Sequence, residues 1–446
     1  MIAGYTDQGK RKYTHALLPV WVALMLGAMN IQGAAGKESP PDLEAQLELI
    51  YGDSKARDIV AQQRYEEEGA EIIPTMKEAA LARMDNAALF YYQAFLLRPQ
   101  SGEGISLAIE EVLRGAEPDG RIRAHLGHCR EMIHVAELAS QMPQCDWGLR
   151  RPDGTHFTPE LPIHTRHLTF VLAADARTLA VDGHYQAALT RCLTMRCIAH
   201  HVSAGGINAG VLSISIDGMA GSTMQHVLGT IPPDGKILSW LRDRLGVVPG
   251  TWSLTRESLQ EHGELILDNM QGNRALLNEI RQHRAAVDVR GEPTPNLTDE
   301  ELLAGAREPL AKFLRSVGRI TDSSMNQAQK YTEIEGLVSE LEATYGADPL
   351  VGRVILRSGA RQIPEWFALS VRSQARFDAI RAAIEIYLLA ARSGHLPKTL
   401  PTNVPKDPFS GEDFGYEITA NGFALRCRAS DPRSGKVWEY EFQVCD

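Results

Sequence analysis

Along most of the chain apolar residues recur at three- and four-residue spacing, the period of a helix with one buried face. From Pro41 to about Arg357 the pattern predicts helix after helix. LEAQLELIY opens behind Pro41-Asp42 and KARDIVAQQRYEEE behind Asp53-Ser54. Asp85 stands where an N-cap belongs before NAALFYYQAFLLR, and Pro99 stops that segment. Further helices are expected over about 105–114, 121–142, 164–181, 185–202, 208–229, 234–245, 255–284, 298–318 and 323–345. Gly or Pro lies near most junctions, among them Gly115, Pro143, Gly183 and Pro232-Pro233. β-Branched alternation is nearly absent, so residues 36–363 are expected to form an all-α domain. Within it, Ala176, Leu179, Gly183, Tyr185 and Ala188 follow the small–large–Gly–aromatic–small order of a tetratricopeptide-type hairpin. That order predicts solenoid-like packing of helical hairpins, without a regular repeat length.

The pattern changes after Pro364, and residues 364–446 are expected to form a small α+β module. A long helix over 365–393 places Phe377, Ile380, Ile384, Tyr387, Leu388 and Ala391 on one face, with Arg381 and Glu385 opposite. Gly394 ends it. A Pro- and Gly-rich stretch follows, in which Asp407-Pro408-Phe409-Ser410-Gly411 reads as a tight turn. Tyr416 and Ile418 alternate into Asn421-Gly422, a hairpin signal. Phe423, Leu425 and Cys427 line one side of the next strand, and Trp438, Tyr440, Phe442 and Val444 one side of the last. The prediction is a three-stranded antiparallel sheet against a helix, appended to a mainly α chain.

The N-terminus changes the picture of where this chain works. Lys10-Arg11-Lys12 precedes an apolar run from Ala16 to Met29, and small residues follow at Gly33-Ala34-Ala35-Gly36. This is the layout of a secretory signal peptide, residues 1–35, with cleavage expected before Gly36. An uncleaved anchor is the alternative, although the run is short for a span and contains Pro19. No later segment is long and uncharged enough to insert, so the mature chain is expected to be periplasmic or secreted without entering the membrane. Losing the leader takes the net charge from −10 to −12, because it holds three cations and one acid. So acidic a body lacks the Lys/Arg excess that nucleic-acid binding requires.

Six cysteines in an exported chain invite a disulfide reading, which local geometry opposes. Cys192 and Cys197 point to different sides of one helix, and Cys427 falls opposite Trp438, far along the strand from Cys445. Buried free thiols are expected, with a long-range bridge from Cys129 or Cys145 as the remaining alternative. Histidines cluster at His125, His128 and His134, at His164 and His167, and at His200-His201. His125, His128, Glu131 and His134 are the metal-ligand candidates, but neither HExxH nor a second ExxH element accompanies them. No cofactor is expected beyond that candidate divalent metal. Cys145-Asp146-Trp147-Gly148, with Arg150 and Asp153 close behind, is the candidate ligand loop. Its other reading makes Trp147 a packing anchor and Asp146 a turn acceptor. The Asp431-Pro432-Arg433-Ser434-Gly435 loop offers one acid beside Arg433 and Lys436, a poor setting for a hard cation.

The segment from Gln374 to about Cys427 resembles the globular part of type II secretion major pseudopilins, through Gly394-His395-Leu396-Pro397, Lys406-Asp407-Pro408-Phe409, Tyr416 and Asn421-Gly422-Phe423. The resemblance implies a structural fold. The methylation signal and the continuous apolar spine of that family are missing, so filament membership does not carry over. The helical body is similar to a family of exported proteins from planctomycete-type bacteria, through Asn86-Ala87-Ala88-Leu89-Phe90-Tyr91-Tyr92-Gln93, Cys145-Asp146-Trp147-Gly148 and the Asp182-Gly183 hairpin. Those motifs imply no particular chemistry.

Two functions fit this sequence. One is a non-catalytic envelope scaffold with envelope proteins as partners. The other is a periplasmic enzyme or metal-binding protein built on the His-bearing helices and the Cys145–Gly154 loop. Convergence of His125, His128, Glu131, His134, His164 and His167 in one cleft would favour the second.

Overall fold

Helix caps set the first elements. The computed structural model describes residues 86–100, 104–147, 161–203, 207–232, 234–248, 250, 298–346 and 360–444, with isolated positions between 259 and 281. All lie in the second of the two units into which the chain divides, Asp58–Asp446. The expected leader, the helices before Asn86, most of the 255–284 helix, Arg150, Asp153 and Cys445 fall outside the described residues.

Helix α1 (Ala87–Leu96) is capped by Asn86, one residue beyond the expected Asp85, with the Ala88 N–H donating to its side chain. The reason lies in donors. Asn86 Oδ1 also accepts from the Asp146 N–H at 2.9 Å, while Asn86 Nδ2 donates to the Asp146 carbonyl at 2.8 Å. A carboxylate cannot supply the second bond. Next come α2 (Ile105–Leu113), α3 (Gly120–His128) and α4 (Arg130–Ser140). The single helix expected over 121–142 is therefore broken at Cys129, whose N–H is shared by the His125 and Leu126 carbonyls, a tightened last turn. Apolar periodicity runs through the joint, which hides it in the sequence.

Helices α5 (Leu161–Val181) and α6 (Tyr185–Ser203) form the hairpin expected around Gly183, which takes a left-handed turn with φ 80°. Ala176 and Ala188 are fully buried and let the pair approach. Helix α7 (Ile207–Leu228) packs on α6 most extensively of all, and α8 (Gly235–Val247) follows behind the Asp234 cap. Helices α9 (Asp299–Thr321) and α10 (Gln327–Tyr345) both open with capping boxes, from Thr298 and Asn326.

The long helix α11 (Ile363–Ser393) departs from its two-faced reading. Buried residues occupy nearly every side of it, because it packs on α7, α8, α10 and the last strand together. The boundary expected between residues 363 and 364 thus coincides with the start of a helix whose core is shared with the helical body. The contact with α7 is close: a Cβ on Gly221 would meet the Arg376 side chain at 2.8 Å. Arg196 of α6 and Asp217 of α7, each 2% exposed, pair at 3.5 Å. Ser373 Oγ donates to Asp217 at 2.9 Å, and Arg196 lies 3.7 Å from the Phe377 ring centroid.

Strands β1 (Gly415–Thr419), β2 (Gly422–Arg426) and β3 (Glu439–Gln443) form an antiparallel sheet in the order β1-β2-β3. The fold is mainly α with this small sheet at its end. The turn is Ala420-Asn421, one residue before the expected Asn421-Gly422, since Gly422 already pairs with Thr419. Gly422 is needed inside the strand: a Cβ there would come within 2.0 Å of the Phe442 carbonyl. Phe423, Leu425, Tyr440 and Phe442 are buried, and Tyr387 of α11 packs edge-on against Phe423. Cys427 N–H donates to the Trp438 carbonyl at 2.8 Å, which is the register expected for the final pair. From α7, Gln225 Nε2 donates to the Glu441 carbonyl at 2.6 Å.

Two copies of one loop flank the β1–β2 hairpin. In Asp407-Pro408-Phe409-Ser410-Gly411 and Asp431-Pro432-Arg433-Ser434-Gly435 the aspartate accepts from the N–H two residues on, at 3.0 Å in both. It also accepts from the serine hydroxyl three residues on, at 2.7 and 2.9 Å. Its carbonyl takes the glycine N–H four residues on, at 2.8 Å in both. Both aspartates are fully buried. Asp431 is further bound by Arg372 of α11 and by Trp438 Nε1, so its oxygens are occupied by donors within the fold. No helix among the described residues is long and apolar enough to cross a membrane.

Candidate functional site

Three helices converge on a cleft of about 760 Å³ lined by α4, α6 and α8. Helical spacing explains who lines it. On α6, Gln186, Thr190, Leu193, Thr194 and Cys197 fall three or four residues apart, on one stripe. On α8, Trp240 and Arg244 are one turn apart and Val247 and Val248 one turn further, while Leu238, Leu241 and Leu245 turn to the core. Arg381 of α11 donates to the Leu245 carbonyl at 3.2 Å, holding the C-terminal end of α8 in place. The end of α4 adds Glu137 and Gln141, and Met142-Pro143 complete the wall.

The inner end is His201. Tyr91 Oη lies 2.9 Å from its Nδ1, and its Nε2 lies 3.0 Å from the Met142 carbonyl. A carbonyl only accepts, so Nε2 carries the proton and Nδ1 accepts from the tyrosine hydroxyl. Burial pushes the His201 pKa down to about 4, helped by neighbouring His200, and burial pushes Tyr91 well above its ordinary value. The ring is neutral and both its nitrogens are used. His200 is also lowered by burial. Burial pushes the Cys197 thiol up to about 11, so it is protonated at neutral pH and a poor nucleophile. Glu137 is tied to Arg191, which also holds Asp175 at 2.7 Å; burial opposes the Arg191 charge, yet the two carboxylates keep its pKa raised. The walls offer amides, hydroxyls and apolar groups with an indole and the Arg244 guanidinium, so this arrangement suits recognition.

The sequence-derived candidates lie elsewhere. His125 is buried on α3 with Nε2 3.5 Å from Cys129 Sγ, its pKa pushed down to about 4 by burial and by the charges of His128 and Arg98. His128 and Glu131 are exposed, and the joint at Cys129 puts His128 and His134 on different helices. His164 stacks on Phe95, with centroids 5.3 Å apart, and burial lowers His167 to about 4. No group of three or more His, Cys, Asp or Glu among the described residues is arranged to hold a metal ion. Cys129, Cys145, Cys192, Cys197 and Cys427 are all free thiols.

Trp147 is 5% exposed and stacks on Tyr91 at 5.4 Å, its Nε1 donating to the His201 carbonyl at 2.8 Å. Tyr92 Oη donates to the Trp147 carbonyl at 3.0 Å. Trp147 thus braces the inner end of the cleft from behind, and Asp146, bracketed by Asn86, holds the loop to α1. Trp240, Arg244 and Gln186 are among the cleft residues that sequence reasoning passed over. Their signal was an indole and a guanidinium one turn apart on a helix already apolar on its other face. The chain matches no protein-family model, no curated protein and no solved structure, so the cleft is read from its own chemistry.

Proposed function

We propose that the chain is an exported, non-catalytic helical scaffold of the cell envelope that binds a partner protein in the cleft between α4, α6 and α8. The observation that carries this reading is the state of the groups able to react there. His201 has both nitrogens engaged, Cys197 is held as a thiol, and Glu137 is spent on Arg191. What faces solvent is the Arg244 guanidinium among neutral donors, acceptors and apolar groups on a three-helix frame, the composition of a recognition surface. Export rests on the N-terminal charge, apolar run and small-residue site. The long helix followed by an antiparallel sheet is read as a pseudopilin-like accessory module.

The test is capture from native envelope extract with the mature chain and with its Trp240→Ala variant. A partner held by the mature chain and lost from the variant, with unchanged circular dichroism, supports the reading. Equal capture by both, or no capture by either, refutes it.

A further inference from the structure

One charge in the cleft is not used by the fold. Arg244 is exposed, and its guanidinium makes no hydrogen bond or ion pair among the described residues. Other arginines of this region are committed. Arg191 is held by Asp175 and Glu137, Arg376 donates to the Gly218 carbonyl, and Arg381 to that of Leu245. Glu137 is the other ionised group of the lining, and it is paired with Arg191. Arg191 is shared between Glu137 and Asp175, and Arg244 is the one guanidinium among the described lining residues left to meet a carboxylate.

The neighbours of Arg244 specify more than charge. Trp240 stands one turn before it on the same stripe of α8, and Val247 and Val248 one turn after it. Gln186 of α6 and Gln141 at the end of α4 face the cleft with side-chain amides, which donate and accept as peptide groups do. Guanidinium and indole are the side chains that most often dominate interface energies, and the arginine fork matches a carboxylate in two parallel bonds.

Resting on the scaffold reading above, we propose that the cleft takes an acidic segment of a partner polypeptide in which a carboxylate side chain stands next to an aromatic or aliphatic one. The carboxylate meets Arg244, the apolar neighbour lies against Trp240 and Val248, and the peptide backbone is met by Gln141 and Gln186.

Fluorescence anisotropy at low ionic strength tests this with two labelled peptides, Leu-Glu-Phe-Asp-Leu and its neutral counterpart Leu-Gln-Phe-Asn-Leu, both blocked at their ends. The mature chain is expected to bind the acidic peptide about tenfold more tightly or better, and Arg244→Gln to lose that preference. Arg244 is exposed and unbonded, so the variant should retain the wild-type circular dichroism. Equal binding of the two peptides, binding of neither, or a preference retained by Arg244→Gln overturns the proposal. The capture experiment separates the two levels. A partner lost on Trp240→Ala but fully retained by Arg244→Gln overturns this inference alone, whereas absence of any Trp240-dependent partner overturns the scaffold reading.

Discussion

Acidification should attack this protein through His201. The ring is 5% exposed, donates from Nε2 to the Met142 carbonyl and accepts at Nδ1 from Tyr91. Adding a proton to Nδ1 sets two donors against each other in a dry site. The pKa falls from an ordinary 6.5 to about 4. The unfolded chain thus takes up this proton before the folded one does. The stabilisation is complete above about pH 6.5, is lost as pH falls toward 4, and is gone below it. A shift of that size corresponds to about 3 kcal/mol. His125 and His167 are lowered to a similar value and titrate in the same window, so the wild-type loss is a composite. The His201→Gln variant isolates one part of it. At neutral pH it should be less stable by about 1–3 kcal/mol, for the disturbed buried hydrogen bonds. Its deficit should then shrink by about 2–3 kcal/mol on moving to about pH 4.5, since glutamine does not titrate. Urea unfolding followed by circular dichroism at the two pH values measures the double difference. Parallel loss of stability in both proteins would refute the argument that His201 is held neutral by the fold.

Phe377→Ala should cost about 3–5 kcal/mol and lower the unfolding of helices and sheet together, because its ring packs under Arg196 within a core shared by α6, α7 and α11; two separate transitions in a thermal melt would count against that. In the native state at about pH 8, iodoacetamide should leave Cys129, Cys192 and Cys427 unmodified and react slowly with Cys145, whose thiol burial and Asp146 push up to about 12. Rapid modification of any of the buried three, by peptide mass mapping, would contradict their placement. Protein from the native envelope is expected to begin at or near Gly36, and recovery of intact chain from Met1 in the cytosol would defeat the export reading.

Elements with local chemistry were legible in the sequence. Asp234 announces the start of α8, Gly183 and Gly394 mark helix ends with φ of 80° and 75°, and the Glu439–Tyr440–Glu441–Phe442 alternation declares the last strand. Features that depend on distant neighbours were not. Arg381 and Glu385 suggest a solvent face on α11, yet both are half-buried, because α8 and α10 close over flanks that look polar in sequence. The cleft was hidden for the same reason: Gln186, Thr190 and Thr194 read as an ordinary wet stripe until α4 and α8 are placed beside them. The Asp-Pro-x-Ser-Gly repetition at 407 and 431 was visible, but each copy invites a separate reading. Only the matching hydrogen bonds show them to be one turn used twice.

Helix α11 has a mechanical consequence. Its 31 residues make a rod of about 46 Å, gripped along its length by other elements. One of its arginines holds the end of α8 that forms the cleft rim, and Tyr387, two turns further on, is bonded to the Gln443 carbonyl of β3. Cleft rim and sheet are therefore clamped to one strut, and a force applied at either is delivered to the other without a hinge between them. Spin labels on Lys236 of α8 and Glu417 of β1 should accordingly report one narrow distance distribution, unchanged when the cleft is filled.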